Sequence, residues 1–103
     1  MIRFPFVCVE RLYIMRNELE KVLKEELRYL AIDTRERLGI TQLEMGSRLE
    51  MSENSYSAIE PGRAMCGTLT TVLLLQMQSD PRGFLERIAS QFEQSYEKEY
   101  QTV

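Results

Sequence analysis

The stretch from Thr41 to Gly62, TQLEMGSRLEMSENSYSAIEPG, constrains this chain more than any other. Thr41 can cap a helix, because its hydroxyl can accept from an unpaired amide of the first turn. Glu44 stands three residues later and completes a capping box. Ser52 can cap a second helix in the same way. Met45 and Leu49, then Tyr56 and Ile59, recur at helical spacing and are expected to face one core. Gly46 falls where the two helices would cross, and a residue without a side chain lets the backbones approach. Pro61 disfavours helical geometry at Glu60, and Gly62 can adopt the positive φ that ends a helix. Two short helices joined by a tight turn are therefore expected, the second over residues 52–60.

The flanking sequence supplies more helices. A first helix is expected to begin between Leu12 and Met15 and to run to about Leu38. Its apolar stripe is Leu19, Val22, Leu23, Leu27, Leu30, Ala31, Thr34 and Leu38. The charged residues Glu18, Glu20, Lys21, Lys24, Glu25 and Glu26 read as a solvated face. Beyond the central motif, 64–67 reads as a loop, with Thr68 as a cap for a helix carrying Leu69, Val72, Leu73, Leu74, Leu75 and Met77. That nearly all-apolar run reads as a buried core helix, being too short to span a membrane. A last helix is expected from Asp80 and Pro81, with Phe84, Ile88, Phe92, Tyr96 and Tyr100 every four residues and Leu85 and Ala89 beside them. The fold class is all-α, a compact five-helix bundle with extended first and last helices.

Three segments follow: an N-terminal arm or start-site extension over 1–14, a central domain over 15–78, and an amphipathic helix over 79–103 for packing or dimerisation. The opening apolar residues Met1–Val9 are too few for a membrane span, and Glu10 and Arg11 interrupt them, so neither a membrane segment nor a signal peptide is expected. At 103 residues the chain can bury one core. It cannot easily bury both a long first helix and the large residues of the last, so a homodimer is expected.

Several chemistries are excluded by what is missing. There is no histidine, which removes imidazole general-base catalysis and His-bearing metal sites. Cys8 and Cys66 are far apart and form no metal-ligand spacing; buried thiols in a reducing cytoplasm are expected. With no glycine-rich phosphate loop or paired-ligand cluster, neither an enzyme nor a cofactor or small-molecule site is expected.

The central stretch resembles the phage-repressor-like, Cro-type (XRE-like) helix-turn-helix family. The resemblance rests on Gly39, Ile40, Thr41, Gln42, Gly46, Leu49, Met51, Ser52, Ser57, Ile59, Glu60 and Gly62, and covers roughly residues 30–76. It implies a lambda-repressor-like fold and a DNA-binding transcriptional regulator, a repressor, that reads a major groove with its second motif helix. It implies a double-stranded operator as partner, and a cytoplasmic, nucleoid-associated location. A two-fold dimer would place two such helices about 34 Å apart.

The resemblance also implies roles for residues. Gln42 would touch a phosphate and brace the recognition helix. Glu53, Asn54, Ser57 and Ala58 would face base edges, where Asn can pair with adenine, Glu can accept from cytosine and Ala can meet a thymine methyl. Arg48 and Arg63 are the phosphate-contact candidates, with Ser52 and Ser55 weaker ones. Arg35 and Glu60 would form a structural ion pair. Three departures stand out. Gly46 replaces the usual Ala. Glu50 replaces the usual turn glycine, at about 1 kcal/mol if its φ is positive. The loop after Gly62 lacks basic residues.

Charge supports a second reading. The net charge is −3 and the pI about 5.1, whereas DNA-binding domains are usually basic. Between residues 28 and 75, Arg28, Arg35, Arg37, Arg48 and Arg63 face Asp33, Glu36, Glu44, Glu50, Glu53 and Glu60. A helix-turn-helix fold used as a protein-interaction module, without DNA, is the alternative.

Overall fold

The computed structural model describes residues 9–101, with side-chain surroundings for residues 16–95. The protein is all-α, with five helices and no strand among the described residues: α1 (Val9–Leu38), α2 (Gln42–Arg48), α3 (Glu53–Ser57), α4 (Thr68–Gln76) and α5 (Pro81–Gln101). No described helix is long and apolar enough to cross a membrane. The chain divides into two units, one of Lys24–Pro81, the other of Met1–Leu23 with Arg82–Val103. The arm expected over 1–14 is helical from Val9 onward, so α1 starts earlier than Leu12. Residues 1–8, Cys8 among them, lie outside the described residues, as do the side chains of Tyr96 and Tyr100.

Within Lys24–Pro81, Leu27, Ala31, Met45, Leu49, Tyr56, Ile59 and Leu74 are buried apolar residues. Most come from the expected stripes, whose spacing of three and four puts them on one side of each helix. Thr34 is buried too and is satisfied locally, its Oγ1 donating to the Leu30 carbonyl at 2.7 Å. Gln78 Nε2 donates to Thr34 Oγ1 and to the Leu74 carbonyl, both at 2.9 Å, which ties the residue after α4 to α1. Leu38, expected on the stripe, is instead exposed, because α1 ends there and Gly39 turns the chain away at φ 65°.

Helix α4 departs most from expectation. It was expected to be buried all round, yet only Thr70 and Leu74 are buried, while Leu69 and Val72 are 64% and 48% exposed. A nine-residue helix on one side of a small unit has only one face to pack, whatever its composition. Its N-cap is also Gly67 rather than Thr68, with no side-chain cap bond; Thr71 Oγ1 donates back to the Gly67 carbonyl at 2.8 Å.

Helix α5 begins at Pro81, where a missing N–H costs nothing, and continues through the other unit from Arg82. Phe84 and Ile88 are buried and Phe92 half-buried, but Leu85 and Ala89 point to solvent. Arg87 stacks over the Phe84 ring, 5.2 Å from its centroid. The charged face of α1 is solvated as expected, with exposed pairs Arg16–Glu20 (3.2 Å) and Lys21–Glu18 (3.7 Å) of little energetic weight.

Candidate nucleic-acid interface

The local chemistry of 41–62 builds the site. Thr41 is the N-cap of α2; its side chain accepts from Glu44 N at 3.1 Å while Glu44 Oε1 accepts from Thr41 N at 3.2 Å, a reciprocal capping box. Helix α2 ends in a Schellman motif: Met51 N donates to Gly46 O at 2.9 Å and Glu50 N to Ser47 O at 3.1 Å. Glu50 occupies the left-handed position at φ 58°. Helix α1 ends the same way, with Ile40 N on Arg35 O (3.3 Å), Gly39 N on Glu36 O (3.1 Å) and Gly39 at the left-handed position.

Gly46 is fully surrounded at the turn. A Cβ there would lie 3.0 Å from the Met51 carbonyl oxygen and 3.1 Å from that of Ser52. Both atoms are backbone, so an alanine could enter only by moving the turn. The substitution away from alanine noted in the sequence therefore sets how closely α2 approaches the start of α3.

Helix α3 is shorter than the 52–60 expected. It spans Glu53–Ser57, with Ala58 as C-cap, and Ile59–Gly62 continue as turns. Gly62 carries φ 86° and donates its N–H to Ile59 O at 3.0 Å. Pro61 disfavours helical geometry at Glu60, so the chain does not resume a helix after these turns.

Glu60, only 8% exposed, is the centre of the motif. Arg35 grips its carboxylate with two parallel bonds, Nε to Oε2 at 2.6 Å and Nη2 to Oε1 at 3.0 Å. Gln42 Nε2 donates to Oε1 at 3.1 Å, and the buried Tyr56 hydroxyl donates to Oε2. Arg28 Nε donates to the Glu60 carbonyl, and Arg28 also pairs with Glu25 at 3.2 Å. Arg35 Nη1 further holds the Ile40 carbonyl at 3.2 Å. Burial alone would raise the Glu60 carboxyl; the donors Arg35, Tyr56 and Gln42, with the Arg35 charge, outweigh it and hold it below its ordinary value. Burial and the hydrogen bond to Glu60 push the Tyr56 phenol well up. Burial likewise raises the Cys66 thiol, the unreactive direction.

Arg35 and Glu60 are thus brought together, and Gln42 joins them as a brace. Sequence reasoning missed Arg28, and took Tyr56 only as a core residue. Arg28 had a signal: it stands seven residues before Arg35, two turns along one face of α1.

Of the other candidate residues, Arg48, Ser52, Glu53, Asn54, Ser55 and Arg63 are exposed, and Ser57 and Ala58 half-buried. The serines are partly committed. Ser52 Oγ accepts from Ser55 N at 3.1 Å and donates to Ser55 Oγ at 3.0 Å, and Ser57 Oγ donates to the Asn54 carbonyl at 3.0 Å. Of the arginines between 28 and 75, Arg28, Arg35 and Arg37 are in ion pairs, Arg37 with Asp33 at 2.9 Å. Arg48 and Arg63 have no such pair among the described residues. No family model, curated protein or solved structure matches this chain.

Proposed function

We propose that this protein is a DNA-binding transcriptional regulator of the helix-turn-helix, XRE-like kind, a repressor acting as a homodimer at an operator. The observation that carries the reading is the pose of α3. Arg28, Arg35 and Gln42 bond to Glu60 just after α3, Tyr56 of α3 joins the same carboxylate, and Gly46 packs at the turn, while Glu53, Asn54 and Ser55 stand exposed. Asn54 is the candidate for bidentate reading of adenine, and Glu53 for accepting from cytosine. Arg48 and Arg63 are the candidate phosphate contacts, with Ser55 able to donate its hydroxyl proton outward.

Selection of bound fragments from the source genome, followed by affinity across a salt series, tests this. Sequence-selective binding with a salt slope near −2 per copy is expected, about 0.9 for each of the two arginine contacts. No enrichment over bulk DNA at low salt would refute it. The second reading, an interaction module for a basic protein, draws on the net charge of −3 and on the consumption of Arg28, Arg35 and Arg37 in ion pairs.

A further inference from the structure

We propose that the outer face of α4 is where a second copy of this chain docks, Val72 facing the same residue of that copy. This deepens the paired state in the reading above by naming its surface; the sequence had offered the last helix only as a packing or dimerisation element. Thr70 and Leu74 mark the buried side of α4. Leu69 (64% exposed), Val72 (48%) and Met65 (40%) lie bare, and Leu69 and Val72 share one face at a spacing of three.

The occupant follows from charge. From Ala64 to Ser79 no residue is charged, the longest such stretch in the chain. Each copy carries −3, so two copies repel wherever their carboxylates meet and least where there are none. A two-fold interface sets residues near its axis against themselves. A charge there would meet its own kind, whereas Val72 meets valine at no electrostatic cost. Within the stretch itself there is no cation for a phosphate backbone or an anionic lipid headgroup and no ion for a charged protein partner to pair with; Arg63 and Asp80 stand at its two ends. A patch centred on Leu69 and Val72 is smaller than the ~800 Å² per partner of a stable complex, so the pair separates on dilution.

Sedimentation equilibrium of the full chain without DNA, from low micromolar to near-millimolar concentration, tests this. The expected mass rises from 12.1 kDa toward twice that value. Val72→Glu and Val72→Lys should each weaken pairing by about tenfold or more, and an equimolar mixture of the two should restore it. Val72 is largely solvent-facing, so unchanged melting of each variant checks the fold. A chain that stays at 12.1 kDa throughout overturns the proposal. So does undiminished pairing of the variants, or a mixture that pairs no better than either alone. A monomer that still selects DNA would sink the pairing and leave the DNA reading intact; a dimer that selects none would do the reverse.

Discussion

Tyr56, Ile59 and Glu60 occupy the inner side of α3 and its following turn, buried and, for Tyr56 and Glu60, hydrogen-bonded to partners outside α3. Glu53, Asn54 and Ser55, one turn earlier, are exposed, and the Ser55 hydroxyl and amide both meet the Ser52 side chain. The same short segment therefore carries a densely bonded polar cluster inside and a sparse polar surface outside. The difference teaches where stability and recognition can be separated. Charge on the inner side is consumed in holding the pose, and little is left to attract a polyanion.

The comparison is broken most severely from the inside. Arg35→Met leaves the Glu60 carboxylate without its bidentate donor and should cost about 3 kcal/mol, read as a large drop in Tm or in the urea midpoint. An unchanged midpoint would show that the cluster does not hold α3.

Acid attacks the same contact more gently. The Glu60 carboxyl titrates lower in the folded chain than in the unfolded one. Its contribution is therefore complete above the ordinary value of 4.5 and is lost as the pH falls through the lower folded value. Tyr56 titrates higher when folded, so its contribution is complete below 10.0 and is lost as the pH rises through the folded value. Urea midpoints against pH should fall at both ends, and Tyr56→Phe should abolish the alkaline fall that this phenol contributes.

Glu50→Gly relieves the left-handed residue between α2 and α3. It should stabilise by under about 1 kcal/mol, because glycine also gains freedom when unfolded. A loss of stability would mean that the Glu50 side chain contributes something beyond its backbone shape. Asn54→Ala sharpens the outer side. Its Tm should stay within about 2 °C of the parent, as for a typical exposed substitution. On the proposed reading, selectivity should relax at one base pair while affinity for other sequences holds. An equal loss on every sequence would reassign Asn54 to backbone contact.

Legibility in the sequence followed the range of the interaction. The Thr41–Glu44 box and the Ser52 cap link residues three apart, so neighbouring letters reveal them. The stripe of α1 was legible at Leu27, Ala31 and Thr34 because polar residues contrast with it. Arg35 and Glu60 stand 25 positions apart and were paired only through a family resemblance. Arg28 shares a face of α1 with Arg35, which the spacing of seven shows, but its bond to the Glu60 carbonyl, like that of Gln78 to Thr34, depends on how helices pack. In α4 apolar residues occur on every side, so periodicity could not say which of them would face water.

Gly46 has a consequence for how such a chain can change. Its contacts are with main-chain oxygens of the turn, so the spacing of α2 and α3 is written in backbone rather than in side-chain fit. Neighbouring outward positions, 53 and 54 among them, can then drift over generations without retuning the scaffold. A lineage could rewrite what this surface meets one letter at a time, passing through folded intermediates at each step.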